Sequence, residues 1–312
     1  MSILLAARFA DADERAAWQA ALSAALPGEH FADAVGGAEA AAIDIAIVAN
    51  PPPGALQGLP GLKLIQSLWA GVDKLLADPS LPAGVPIARM VDPAMNAAMA
   101  ETALWAVLGL HRGYFRYAQQ QRRARWAQLP QRRADEITVA VLGLGQMGRC
   151  TAQRLVVQGY RVRGWSTRTA ALEGVETHTG LAALPALLAR ADVVVNLLPL
   201  TPETRGLFAA ERFAQMRAGA SLVNLARGAH VVDADLLAAL DSGRLAHAVL
   251  DVFNAEPLPA DHPYWRHPGV TVLPHAAALT DPRSAAQIAA ANVRALREGR
   301  PLGHLVDRAR GY

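Results

Sequence analysis

Three side chains able to do chemistry stand just beyond apolar runs in the second half of the chain: Arg227 after ASLVNL, Asp251 after LAHAVL and His275 after VTVLP. Arginine's planar fork grips a carboxylate at two points, and histidine gives and takes back a proton near neutrality. Upstream, VAVLGLGQMG at 139–148 breaks an apolar run with Gly143, Gly145 and Gly148, then enters TAQRLVVQG, which has the character of a helix. Strand, tight turn and helix in that order suit a dinucleotide. Gly143 allows the turn, Gly145 leaves no side chain between backbone and pyrophosphate, and Gly148 lets the helix lie close to the strand with its positive end toward the phosphates. Ligands of open α/β sheets bind beyond the carboxyl ends of the strands, so an arginine, a carboxylate and a histidine converge on the rim that carries the glycine turn.

These residues need elements to position them, and the apolar runs supply a plan. From residue 1 to about 97 the chain alternates SILLAA, a helix capped near Asp11 or Asp13 and running to Ala25, then IDIAIV, KLIQSLW and PIARMV. Strands alternating with helical segments predict a small parallel sheet. After KLIQSLW, the small residues Ala70, Gly71 and Val72 turn into a helix whose free N–H groups could hold a carboxylate, or form an ordinary strand-to-helix turn. The segment 96–121 has helical periodicity without an interior proline and reads as one connecting helix, and 129–135 reads as linker. Beyond the glycine turn, YRVRGW, ADVVVNLL, ASLVNL, LAHAVL and VTVL recur at the spacing of βα units, each expected to be a parallel strand. The segment 281–298 reads as a final helix about 27 Å long, enough to cross back to the first part.

At 312 residues the chain exceeds the size at which one core keeps growing, so two domains are expected. Hydrophobic content of 52% with 18% charged residues excludes a disordered chain, and no apolar stretch is long enough to span a bilayer. The opening MSILLAARF lacks the basic and long apolar regions of a signal peptide, which points to the cytoplasm. The pI near 9.3 accompanies a net charge of only +3, with lysine only at positions 63 and 74, so the arginine-rich run 112–133 reads as a solvated or subunit-contacting helix, not a nucleic-acid surface. The lone Cys150 reads as a small packed thiol. No metal site is expected, because His262 and His267 are interrupted by proline and lack a third ligand. No G-x-S-x-G hydrolase elbow occurs.

The runs LVNLARGAHVVDADLLAAL, LDVFNAEPLP and VTVLPHAA resemble the D-isomer-specific 2-hydroxyacid dehydrogenases. VDRARGY at the end, with Trp165 and Ser166, looks most like the glyoxylate/hydroxypyruvate reductase A branch. The resemblance implies a Rossmann-type doubly wound parallel sheet over 98–280, and a smaller flavodoxin-like α/β substrate domain over 1–97 to which 281–312 returns. Two crossings between domains would form a hinge whose closure excludes water. It further implies that Arg227 binds the carboxylate of a 2-oxo acid, that His275 is the acid/base, and that Glu256 is the carboxylate paired with that histidine. Asp251 would lie at the nicotinamide end of the cofactor, beside Ala226. Ala70, Gly71 and Val72 would offer amides to the substrate carboxylate, with Trp69 read as packing. Gly143, Gly145, Gln146, Met147 and Gly148 would seat the pyrophosphate, with Leu198, Pro199 and Thr204 as the loop over the phosphates.

Cofactor choice turns on the end of the second strand, where an NAD enzyme keeps an acid for the ribose hydroxyls and this chain has Ser166, Thr167 and Arg168. Without an acid nothing repels a 2′-phosphate, so NADP is favoured, with NAD possible, although the branch usually carries more cations here. The expected activity is an NADPH-preferring reduction of glyoxylate to glycolate and hydroxypyruvate to D-glycerate, in a homodimer. The alternatives are a dehydrogenase for a bulkier 2-oxo acid, since Asn50 and three prolines stand where the branch carries a tryptophan loop, and a non-catalytic NAD(P)-sensing binding protein.

Overall fold

The computed structural model describes residues 2–32 and 37–312. In chain order the first elements are β1 (Ser2–Ala7), α1 (Ala12–Ala25), β2 (His30–Ala32), β3 (Ile43–Ala49), β4 (Leu64–Ser67), α2 (Asp73–Leu76), β5 (Ile87–Ala88), α3 (Pro93–His111) and α4 (Tyr114–Arg122). They are followed by β6 (Thr138–Leu142), α5 (Gln146–Val157), β7 (Arg161–Ser166), β8 (Val175–Thr179), α6 (Leu184–Leu188), β9 (Val193–Asn196) and α7 (Ala210–Gln215). The last are β10 (Ala220–Asn224), α8 (Asp233–Asp241), β11 (Leu245–Leu250), β12 (Val270–Val272) and α9 (Pro282–Arg297). The chain divides into two compact units, Met1–Met95 with Thr280–Tyr312, and Asn96–Leu279.

The first unit holds a five-stranded parallel sheet in the order β2-β1-β3-β4-β5, the flavodoxin-like winding. β3, at its centre, is buried at every position, as befits a parallel strand covered on both faces. Asp11 caps α1 by accepting from the Glu14 N–H at 2.8 Å, and Trp18, Leu22 and Ala25 form its buried face. α9 presents Ala285, Ala286, Ala289 and Ala290, small enough for it to lie close against α1 and β4. It belongs wholly to this unit, which the chain re-enters at Thr280, and Asp281 caps α9 through the Arg283 N–H at 2.9 Å. Arg297 then pairs with Glu29 at 2.8 Å and with Asp44. PIARMV yields only the two-residue β5.

The second unit holds a seven-stranded parallel sheet, β12-β11-β10-β9-β6-β7-β8, the Rossmann order with its switch point between β6 and β9. β9 and β10 are buried throughout. The single helix expected over 96–121 is corrected: α3 begins at Pro93 and ends at His111, and α4 starts anew after Gly113. Gly113 is left-handed at φ 71, which ends the helix, and Phe115 folds back onto Gly109, where a Cβ would lie 2.6 Å from its ring. Two edge strands had no apolar signature to announce them. β2 is three residues long, and β8, VETHT, has no buried face. Among the described residues no helix is long and apolar enough to cross a membrane.

Candidate active site

The turn between β6 and α5 has the form a dinucleotide requires. Gly143 adopts φ +98, donates to the Trp165 carbonyl at 2.8 Å, and lies so close to β9 that a Cβ would meet the Leu197 carbonyl oxygen at 2.6 Å. Gly148 is tighter still, since a Cβ there would stand 1.7 Å from the Gly143 oxygen, so helix and turn are in backbone contact. Gly145 differs: a Cβ on it would meet no protein atom within 4 Å. It is the N-cap of α5 and brings no side-chain hydrogen bond, so the first-turn amides of Gln146, Met147 and Gly148 open onto that space. A cradle that a Cβ would fill, at the positive end of a twelve-residue helix, fits a pyrophosphate.

Beyond β7, the Ser166 hydroxyl donates to the Arg168 carbonyl at 2.5 Å, and Thr167 and Arg168 are exposed. Arg149, in the first turn of α5, reaches the same loop and donates to the Ala171 carbonyl at 3.2 Å, a second cation that strand-end reasoning does not find. After β9, Leu198 is buried, and the Thr204 hydroxyl stays within its own loop, donating to the Pro199 carbonyl at 2.8 Å and accepting from the Thr201 N–H at 2.8 Å.

Arg227, Asp251 and His275 leave the carboxyl ends of β10, β11 and β12, which are sequential neighbours in the sheet. The outer two strands are therefore about 10 Å apart, within reach of side chains from both. Arg227 stays extended at φ −144 and ψ 144, and its Nη1 donates to the Ala226 carbonyl at 2.7 Å. The next residue, Gly228, is in backbone contact with the loop after β11: a Cβ would lie 1.9 Å from the Phe253 carbonyl carbon and 2.4 Å from the Asn254 nitrogen.

That loop carries Glu256, which accepts from the Phe253 N–H through Oε1 at 3.0 Å and from His275 Nδ1 through Oε2 at 2.9 Å. Nδ1 thus carries the proton that faces the carboxylate, and Nε2 is the nitrogen free to serve a substrate. The His275 side chain is 51% exposed and that of Glu256 27%, so the pair opens to solvent on the imidazole side. His275 takes the left-handed φ of 54, a conformation held by Asp251. The Asp251 carbonyl accepts the His275 N–H at 2.9 Å, and its carboxylate accepts the Ala276 and Ala277 amides at 2.7 and 3.1 Å. Burial pushes the Asp251 carboxyl up, opposed by those two amides and the nearby histidine. Asp251 is thus a clasp that sets the histidine's backbone.

Two polar clusters behind these residues escape sequence reasoning. Asn196, Asn224 and His230 are completely buried at the ends of β9 and β10 and in the turn after Arg227. Asp233, the first residue of α8, accepts from Tyr264 Oη at 2.9 Å and from Asn254 Nδ2 at 3.0 Å, tying the start of α8 to the Glu256 loop. The available signal was a polar residue closing each of two apolar strands.

Ala70, Gly71 and Val72 belong to the other unit, where they lead from β4 into the four-residue α2 with no side-chain cap on its N-terminus. Trp69 packs edge-on against Trp18, ring centroids 6.1 Å apart, which agrees with its reading as a packing residue.

Comparison with known proteins places this geometry. The family model for the NAD binding domain of D-isomer specific 2-hydroxyacid dehydrogenases matches residues 104–277. Glyoxylate/hydroxypyruvate reductase A of Serratia proteamaculans is 41% identical over 317 residues, covering 100% of both chains. Among solved structures, a D-isomer specific 2-hydroxyacid dehydrogenase from Xanthobacter autotrophicus in complex with NADPH is 43% identical with a TM-score of 0.94, covering 100% of this chain and 99% of that one. An NADPH-dependent glyoxylate/hydroxypyruvate reductase from Sinorhizobium meliloti in complex with NADP and sulfate is 36% identical with a TM-score of 0.93, covering 100% of each. A strand-end arginine, a histidine–glutamate pair and a glycine turn on a Rossmann sheet thus occur in a chain that belongs to the D-isomer specific 2-hydroxyacid dehydrogenases, NAD(P)-dependent enzymes.

Proposed function

We propose that this dehydrogenase is an NADPH-preferring reductase of small 2-oxo acids, taking glyoxylate to glycolate and hydroxypyruvate to D-glycerate. The observation that carries the reading is the His275–Glu256 pair at 2.9 Å, two strands along from Arg227 on the same edge of the sheet. The names of the relatives from Serratia and Sinorhizobium support the substrate class, and the NADP and NADPH complexes of the solved structures support the coenzyme. The chain's own support for NADP is the acid-free end of β7, with Arg168 on the loop beyond it and Arg149 reaching that loop from α5.

In the mechanism, Gly145 and the first-turn amides of α5 hold the coenzyme's pyrophosphate, with Leu198, Pro199 and Thr204 over the phosphates. Ser166, Thr167 and Arg168 take the adenosine ribose, and Ala226 and Asp251 border the nicotinamide end. When bound, the coenzyme supplies hydride chemistry. Arg227 binds the substrate carboxylate and polarises the neighbouring carbonyl, and the amides of Ala70, Gly71 and Val72 in the first unit are assigned a carboxylate-binding role. His275 Nε2 gives its proton to the carbonyl oxygen as the carbon is reduced. Glu256 at Nδ1 fixes the ring and stabilises the imidazolium that precedes transfer. In this reading the first unit is the substrate domain. The enzyme works in the cytoplasm as a homodimer, for which the 98% exposed Trp126 beyond α4 offers contact surface.

A panel of glyoxylate, hydroxypyruvate, pyruvate and a branched 2-oxo acid, each with NADPH and NADH, tests the proposal. The two small acids should give the highest kcat/KM, and NADPH should exceed NADH. Preference for the branched acid, or for NADH, would refute the corresponding half.

A further inference from the structure

The buried polar cluster behind Arg227 is larger than an arginine turn requires. Asn224 Nδ2 donates to the Arg227 carbonyl at 3.0 Å. Asn196 Nδ2 donates to Asn224 Oδ1 at 3.0 Å and stands 3.1 Å from His230 Nδ1. His230 Nε2 lies 3.2 Å from the carbonyl of Pro199. His230 Nδ1 also stands 3.1 Å from the Arg227 carbonyl, so the imidazole bridges the Pro199 and Arg227 carbonyls directly, with the Asn196 amide beside Nδ1. The remaining acceptors are used as well: Asn196 Oδ1 takes the Leu198 N–H and Asn224 Oδ1 the Ala226 N–H, each at 3.3 Å. All three side chains show no exposure to solvent. One continuous chain of hydrogen bonds therefore runs from the turn at Leu198 and Pro199 to the backbone of Arg227.

We propose that His230 is a positioning residue for the reduction: directly, and through Asn196 and Asn224, it locks the Pro199 turn to the Arg227 turn, so that the substrate's carboxylate is held at one fixed offset from the coenzyme loop. This deepens the reductase reading and rests on it for the roles of the two turns. Apolar packing would fill the same space, but it would not set the spacing of two carbonyls. Three buried polar side chains are retained where each is satisfied and each fixes a backbone group. His230 sits too deep to touch substrate, so its contribution is geometric, and a misplacement of about 1 Å at a reacting centre costs on the order of 100-fold in rate.

The test compares wild type with His230→Phe, which keeps the ring but makes neither bond, and His230→Gln, whose amide can again donate toward Pro199. Thermal unfolding and NADPH binding are measured first, then kcat and KM for hydroxypyruvate. His230→Phe should fold and bind NADPH while kcat falls on the order of 10- to 100-fold, and His230→Gln should recover most of that loss. Should His230→Phe fail to fold, Asn196→Ser, which removes the amide beside Nδ1 and its bond to Asn224, is held to the same expectation. A His230→Phe enzyme with lowered stability but kcat within about two-fold of wild type, or a glutamine variant as impaired as the phenylalanine one, overturns the proposal. If wild type reduces neither acid, the substrate assignment fails. Crystal structures then decide the positioning role: the Arg227 turn displaced from Pro199 in His230→Phe supports it, and an unmoved turn refutes it.

Discussion

Replacing Gly228 by alanine adds one methyl group at the point where the substrate arginine's turn meets the loop of the histidine's carboxylate. The new Cβ would lie 1.9 Å from the Phe253 carbonyl carbon and 2.2 Å from its oxygen. Non-bonded carbons rest at about 3.5 Å, so the two backbones must part by about 1.6 Å. Both partners are main chain, and no rotamer change relieves the clash. Because the Phe253 N–H is bonded to Glu256 and Gly228 follows Arg227 directly, the separation moves the guanidinium relative to the His275–Glu256 pair. Overpacking of this kind costs about 1–3 kcal/mol of stability, and a shift above 1 Å costs on the order of 100-fold in rate. The assay is kcat/KM for hydroxypyruvate, with NADPH binding measured by fluorescence as the control, since the glycine turn lies on β6, three strands from β11. The expected result is a fall of about 100-fold with coenzyme affinity little changed. A Gly228→Ala enzyme retaining half of wild-type kcat/KM would refute the argument that this contact aligns the site.

Gly145→Ala reverses the pattern: its Cβ meets no protein atom, so the melting temperature should hold while NADPH affinity falls on the order of 10-fold or more, and unchanged affinity would remove the pyrophosphate from that cradle. Glu256→Gln should lower kcat/KM about 100-fold while NADPH still binds, the outcome against it being near-normal turnover with a neutral partner at Nδ1. Burial, reinforced by the charge of His267, pushes the pKa of His247 from its ordinary 6.5 down to about 4. The unfolded chain therefore takes up a proton near pH 6.5 that the native one refuses until near pH 4, and stability falls as pH drops through that window, by at most about 3 kcal/mol. Urea unfolding between pH 7 and 4.5 should show this slope in wild type and a flatter one in His247→Gln; equal slopes would contradict it.

How legible the molecule was in its sequence follows from how local each signal is. Fully buried parallel strands such as VVVN and SLVN announce themselves as apolar runs, and the glycine turn announces itself through steric needs that arise within six residues. Arg227, Asp251 and His275 could be placed because a strand end is a position that a sequence pattern marks. The break at Gly113 was hidden because a glycine inside a periodic stretch is also tolerated in helices, and what decides it here is the fold-back of Phe115 onto Gly109. The edge strand VETHT buries no face and so has no periodicity to find. The partners of His230, Asn196 and Asn224, lie 34 and 6 residues away in the chain and meet it only once β9 and β10 pair. Glu256 looked like any loop acid until its bond to a histidine 19 residues later was in view, and there the family resemblance supplied what spacing could not.

The most direct test of the whole account is turnover of hydroxypyruvate by Arg227→Ala measured beside its affinity for NADPH. kcat/KM should fall to a small fraction of wild type while NADPH binds as before, because the guanidinium serves the substrate and the glycine turn serves the coenzyme. A variant that keeps most of its rate, or that loses coenzyme and rate together, would contradict it.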